Sequence, residues 1–158
     1  MDDTTRALIE KITIRYPEPR PILGGHTSNI FFDCNKLSPN DLARLAAEAT
    51  GHLDHDAFDI AVGLAYNGIF FAAAVAGGRG IAILQTDGKV FGPDLKAKRI
   101  VIASDVVMDG KQIEQAAQLL AKLGAKVVGF ACIVDRSGGR VGAPSTPLWS
   151  AVQAPLAA

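Results

Sequence analysis

Arg99-Ile100-Val101-Ile102-Ala103-Ser104-Asp105-Val106-Val107-Met108-Asp109-Gly110-Lys111-Gln112 runs from an apolar segment through an acidic turn into the start of a helix. An apolar run this short, bounded by a charge and a polar turn, reads as a strand buried on both faces of a parallel sheet. The following helix, Lys111 to Leu123, places Ile113, Ala116, Ala117, Leu120 and Leu123 on one face and stops at Gly124. Similar apolar runs occur at Asp59 to Val62, Gly80 to Leu84 and Lys126 to Val134, with a second helical segment at Gly68 to Ala76. Strands and helices alternating in this order specify a doubly wound α/β sheet. Ligands of such sheets bind beyond the carboxyl ends of the strands, so the loops after Val62, Leu84, Ala103 and Val134 are the ones to inspect.

Outward from this core the signals are more local. Thr4 or Thr5 before Arg6 to Ile12 reads as a short capped helix, and Ser38-Pro39 caps a second one over Leu42 to Ala49. Tyr16-Pro17-Glu18-Pro19-Arg20-Pro21 is expected to be a stiff connector, because its three prolines fix φ and remove ladder donors. Ile30 to Cys34 reads as a strand. The tail after Asp135, with Pro144, Pro147 and Trp149, shows no clear element.

The chain has 158 residues, 49% of them hydrophobic, which suits one domain over 1–158 with an N-terminal part to about residue 50, a core over 57–135 and a tail over 136–158. Sixteen basic and sixteen acidic residues cancel, so no broad charge footprint for nucleic acid or an anionic membrane is expected. Met1-Asp2-Asp3-Thr4-Thr5 is acidic where a secretory leader would be basic, and no apolar run reaches membrane-spanning length. The expectation is a cytoplasmic protein. Cys34 and Cys132, far apart and inside apparent strands, read as buried reduced thiols.

Backbone N–H groups at the start of the Lys111 helix, with the positive end of its dipole, form an anion site, and Gly110 permits close approach. A P-loop is rejected, because Asp105 stands where that motif needs glycine and Gln112 where it needs Ser or Thr. The alternative is that Asp105 and Asp109 merely cap the helix.

The quoted segment resembles the signature of type I phosphoribosyltransferases: a hydrophobic strand, two acids, two aliphatics and a phosphate loop rich in hydroxyls. The resemblance implies that the acids contact the ribose of phosphoribosyl pyrophosphate (PRPP) and that the loop holds its 5′-phosphate. Asp105 matches the second acid, Val106 and Val107 the aliphatics, and Gly110 the loop glycine. Ser104 replaces the first acid, and Met108, Lys111 and Gln112 replace hydroxyl residues. By this resemblance Ser104, Asp105, Asp109, Gly110, Lys111 and Gln112 form the ribose and phosphate site, with Mg²⁺ brought by PRPP near Asp105.

A second stretch, Gly63-Leu64-Ala65-Tyr66-Asn67-Gly68, fails the dinucleotide fingerprint but resembles the pyrophosphate loop of orotate phosphoribosyltransferases, with Asn67 in place of a lysine. Losing that cation is expected to weaken binding by roughly 1–3 kcal/mol. Gly25 to Asp33 resembles the hood of the same enzymes, which implies that Phe31 and Phe32 pack over a base. Adjacent strand residues face opposite ways, so at least one of the two is expected in the core. Leu23 falls where the family carries a base-binding lysine. Arg136, in Asp135-Arg136, matches an arginine that meets the base, though a solvated loop arginine is an equal reading.

After Leu84 the family's basic mobile lid is missing. Gln85-Thr86-Asp87-Gly88-Lys89 reads instead as a hairpin turn. His52-Leu53-Asp54-His55-Asp56 matches no strong metal spacing and reads as a plain loop. The resemblance implies a mostly parallel twisted sheet flanked by helices, a small N-terminal hood and a homodimer. It leaves two readings: a divergent, weak transferase acting on a nitrogen base, or an inactive homologue that binds a phosphorylated ribose or nucleotide. It names no catalytic residue.

Overall fold

The computed structural model describes residues 1–142 and 146–156, so Pro144 and the last two residues lie outside the described residues. Helix α1 (Asp3–Ile12) is followed by β1 (Thr13–Ile22) and β2 (His26–Phe32), then α2 (Pro39–Thr50). The core comprises β3 (Ile60–Leu64), α3 (Gly68–Ala76), β4 (Gly80–Leu84), β5 (Val90–Phe91), β6 (Arg99–Ala103), β7 (Val106–Val107), α4 (Lys111–Lys122), β8 (Lys126–Asp135) and β9 (Leu148–Gln153).

Among the described residues the main sheet runs β5-β4-β3-β6-β8, with β7 and β9 also paired to β8. All its pairings are parallel except β4 with β5. Alternation along the strands builds two cores. Ala61, Val101, Ala103 and Ile133 pack under α2 and α3 with Phe71, Val75 and Leu45, while Ile60, Val62, Ile100, Ile102 and Cys132 pack under α4 with Ile113 and Leu120. Both faces of β3 and β6 are therefore covered, which explains why their sequences are unbroken apolar runs. Each fully buried aliphatic of this kind contributes about 1.5–3 kcal/mol.

The helices that leave the neighbouring strands β3 and β6 cross to opposite faces, α3 to one and α4 to the other. The loops after these two strands therefore diverge and leave a crevice at the carboxyl edge of the sheet. No helix among the described residues is long and apolar enough to cross a membrane.

Four local expectations are corrected. The proline-rich stretch is not a stiff connector but part of β1, antiparallel to β2 in a separate hairpin with an irregularity between Arg15 and Arg20. Proline is tolerated there because a two-stranded ribbon is all edge, and prolines whose missing N–H would face outward cost no ladder bond. Cys34 lies in a 3₁₀ turn (Cys34–Lys36) rather than in the strand, which ends at Phe32. The first helix is capped by the Asp2 carboxylate accepting from Thr5 N–H at 2.7 Å, whereas Thr5 itself is buried. The tail is not without structure: β9 pairs parallel with β8 from Phe130↔Leu148 to Asp135↔Gln153. Trp149 lies over Gly129, where a Cβ would come within 2.3 Å of the indole ring.

The Ser38 cap behaves as expected, with Ser38 and Asp41 completing a reciprocal capping box and Pro39 opening the helix. So does the turn after β4, where Gln85 N–H donates to the Lys89 carbonyl at 2.8 Å and Gly88 N–H to the Gln85 carbonyl at 3.0 Å.

Candidate functional site

Leu23, Phe31, Phe32, Leu64 to Gly68, Ser104, Asp105, Val106, Met108, Gln112 and Arg136 line one cavity of about 170 Å³ in the crevice. The two core loops, the hood hairpin and the end of β8 thus converge on a single space. A neighbouring cavity of about 310 Å³ is lined by Leu23, Gly24 and Val106 to Ile113, and a third of about 240 Å³ lies between Leu64, Gln85, Thr86 and Gln115. Gln112 borders all three.

Asp105 is held by its own backbone. Its carbonyl accepts from both Ile133 N–H, at 2.8 Å, and Val134 N–H, at 3.1 Å, and its carboxylate accepts from Val106 N–H at 2.7 Å. Burial pushes this carboxyl above the ordinary carboxylate range, with the Val106 N–H bond opposing the shift. No cation is paired with it among the described residues, so the group has acceptor capacity to spare toward the cavity. Ser104 is buried beside it, and its hydroxyl reaches Asp105 Oδ1 at 3.5 Å.

Asp109, Gly110 and Lys111 line the neighbouring cavity rather than the one around Asp105. His26 Nε2–H donates to Asp109 Oδ2 at 3.0 Å, and Lys111 N–H donates to Asp109 Oδ1 at 3.1 Å. These two bonds hold the Asp109 carboxyl below its ordinary range. The Lys111 side chain is exposed, with Nζ 4.0 Å from Asp109 Oδ2. Gly110 opens α4 at φ 86°, a left-handed conformation that favours glycine, and a Cβ there would lie 2.2 Å from Val141 Cγ2.

Gly63 does not reach the cavity. It allows α3 to close on β3, since a Cβ would lie 2.9 Å from Ala72 Cβ. Gly68 is the point at which the two loops touch: a Cβ there would lie 2.6 Å from the Ala103 carbonyl oxygen and 3.0 Å from Ser104 Cα. Backbone on both sides cannot yield cheaply. Gly68→Ala is therefore expected to cost roughly 1–3 kcal/mol in a denaturant melt. Because Ser104 must shift with it, the same variant is expected to lose ligand affinity. The Ala65–Tyr66 peptide is cis, and the Tyr66 ring is exposed at the cavity mouth.

Arg136 is only 3% exposed, so the reading as a solvated loop arginine is corrected. Its guanidinium donates to the Ile30 carbonyl at 3.1 Å, to Ser28 Oγ at 3.0 Å and to the Ala154 carbonyl at 3.3 Å, and lies 5.3 Å from the centre of the Phe32 ring. Among the described residues no carboxylate pairs with it. Asp135 instead accepts from Ser137 N–H at 2.8 Å and Ser137 Oγ at 2.6 Å. Burial lowers the pKa of Arg136, which remains a cation with N–H groups left over. Of the aromatic pair, Phe32 is 7% exposed and belongs to the core, while Phe31 is 43% exposed, and both border the cavity.

Leu23 is 72% exposed on the hood. Sequence reasoning missed the partners that brace the site: Ser28 and Ala154 under Arg136, and His26 against Asp109. Nothing local in the sequence marks contacts across 18 to 108 positions. The thiols of Cys34 and Cys132 are both free, and burial pushes both up and keeps them protonated at neutral pH. Among the described residues no group of three acidic, His or Cys side chains could cage a metal. The His52 ring packs edge-on against Trp149 at 5.9 Å.

Comparison with known proteins agrees with this architecture. Residues 85–145 match the phosphoribosyl transferase domain. An orotate phosphoribosyltransferase of Chlorobium phaeobacteroides is 23% identical over 129 residues, 76% of this chain and 67% of the relative. That of Caldanaerobacter subterraneus is 29% identical over 126 residues, 74% of this chain and 66% of the relative, so the match spans about two thirds of these proteins. The crystal structure of orotate phosphoribosyltransferase from Aeropyrum pernix superimposes with a TM-score of 0.76 at 21% identity, over 94% of this chain and 92% of that one. The Mycobacterium tuberculosis enzyme in complex with PRPP gives 0.74 at 17% identity, over 95% and 94%. Residues 85–145 thus carry the phosphoribosyl transferase match, and with its parallel sheet and its N-terminal hairpin the chain is similar in sequence and in fold to orotate phosphoribosyltransferases.

Proposed function

We propose that this protein binds PRPP in the switch-point crevice and transfers its phosphoribosyl group to a nitrogen base. The observation that carries the reading is the single cavity uniting Asp105, the 64–68 loop, the hood aromatics and Arg136. The Asp105 carboxylate accepts from ribose hydroxyls. The start of α4, with Lys111, takes the 5′-phosphate. The 64–68 loop faces the pyrophosphate, and an aromatic ring lies between Phe31 and Arg136. In the reaction the bond from C1 to the pyrophosphate oxygen breaks through an oxocarbenium-like state, a C1–N bond forms, and the base nitrogen releases its proton. Magnesium fits as a passenger of PRPP and not as a resident ion, since the described residues supply no cage and Asp105 is the one acid of this cavity's wall. When bound it neutralises the charge of the leaving pyrophosphate.

Turnover is expected to be slow. Asn67 brings no charge to the pyrophosphate loop, and the Gln85–Lys89 turn is closed on itself by two backbone bonds where a cationic lid would be needed. That closed turn also favours the second reading, a protein that binds a phosphorylated ribose or nucleotide in a regulatory role without efficient transfer. The exposed Tyr66 and Phe70 support a homodimer, and a cytoplasmic location and a small-molecule ligand, not nucleic acid, complete the proposal.

Calorimetric titration with PRPP and Mg²⁺, followed by a search for base-dependent pyrophosphate release, tests it. Micromolar binding with release supports the transferase, and binding without release supports the second reading. An absence of binding at millimolar ligand overturns both. Lys111→Ala is expected to weaken PRPP binding by more than twofold.

A further inference from the structure

The start of α4 offers amides and a lysine to an anion, yet the chain already places a carboxylate there. Asp109 Oδ1 takes the Lys111 N–H at 3.1 Å, and Oδ2 lies 4.0 Å from Lys111 Nζ while accepting from His26 at 3.0 Å. A phosphate bound at this helix start needs the same N–H and the same ammonium. It also meets the negative charge of Asp109 at close range. The two anions therefore exclude each other.

His26 adds a second element. It begins β2, and Gly24 of the preceding turn packs against the pair, with a Cβ position 3.1 Å from His26 Cδ2 and 3.5 Å from Asp109 Oδ2. The carboxylate is thus strapped to the tip of the hood, 83 positions away in sequence. Displacing it from the helix start loosens the contact that holds the hood tip down over the cavity of Leu23, Gly24 and Met108.

We propose that Asp109 is not a ligand contact but an internal competitor that occupies the phosphate seat, sets its affinity and, through His26, couples its filling to release of the hood tip. The inference rests on the phosphate reading given above. Selectivity follows: a ligand must offer the seat more negative charge than one carboxylate, which a phosphate dianion does and a monoanion does not.

The test is calorimetric titration of the full chain with inorganic phosphate and with PRPP–Mg²⁺. Asp109→Ala is expected to bind phosphate at least fivefold more tightly than the parent. Asp109→Asn, which keeps an acceptor for Lys111 N–H but loses the charge, is expected to fall between the two. His26→Ala, which leaves the carboxylate but cuts its strap, is expected to tighten phosphate binding about twofold or more, and the double variant to match Asp109→Ala alone. Unchanged or weaker binding in Asp109→Ala, with a parent-like circular dichroism spectrum, overturns the proposal. Weaker binding in His26→Ala does so too, since it makes the imidazole a ligand contact. If neither the parent nor any variant binds phosphate or PRPP, the phosphate reading itself fails, and that result is distinct from the others.

Discussion

Asp105→Asn is expected to melt at a higher temperature than the parent protein at neutral pH and to bind PRPP at least tenfold more weakly. The two effects have one cause. The carboxyl is buried without a cation among the described residues, and burial raises its pKa. Its folded form therefore holds a proton more tightly than its unfolded form, and the stability it contributes is lost as pH rises from the ordinary value through the raised one. Asparagine keeps the acceptor for Val106 N–H at 2.7 Å and removes the charge. Thermal melts in a pH series check the sign: the advantage of Asp105→Asn should vanish in acid and grow toward neutrality. The carboxyls of Asp41, Asp59 and Asp109 are shifted down by their partners and behave oppositely, losing stability as pH falls, but they are common to both proteins and cancel in the comparison. The affinity loss follows from replacing charge-assisted hydrogen bonds to ribose, worth roughly 1.5–3 kcal/mol, by neutral ones. A variant that melts lower and binds PRPP as the parent does would remove Asp105 from the pocket's chemistry.

Arg136→Met is expected to cause the largest loss of stability. Methionine fills the stem's volume but leaves the Ile30 and Ala154 carbonyls and the Ser28 hydroxyl without their donor. Partly buried acceptors stranded this way cost roughly 2–4 kcal/mol together, or a fall of roughly 5–15 °C in Tm for a domain of this size. Arg136→Lys should recover only part, because a single ammonium cannot span three acceptors set in a fork. The effect on ligand is separable. An aromatic carboxylate is expected to bind the parent and lose affinity in both variants, whereas inorganic phosphate, if it takes the proposed seat at α4, is expected to be indifferent.

The sheet was legible because its signals are local. Ile60 to Leu64 and Ile100 to Ala103 are apolar on both faces, as a doubly covered strand requires. The two loops were legible for the same reason, since Gly68 and Gly110 stand where a Cβ would collide with Ala103 or Val141. What the sequence hid was set by partners far along the chain. The prolines of β1 argue against a strand until β2 is seen beside them, and β9 has weak periodicity because one side of Trp149 fills the space left by Gly129. Arg136 left a base contact and a solvated loop arginine equally open, because the Ser28, Ile30 and Ala154 groups that bury it lie far from it in sequence. Asp109 fits a ligand-binding role by position, and its bond to His26, 83 positions away, carried no local signal.

The end of the chain is tied into this arrangement more tightly than its composition suggests. Ala154 N–H donates to the Asp135 carbonyl at 2.8 Å and Leu156 N–H to the Arg136 carbonyl at 3.0 Å, so Ala154 to Leu156 lie along the back of the arginine. Proline at position 154 or 156, which removes one of these N–H donors, is therefore expected to alter the pocket without touching any residue that lines it.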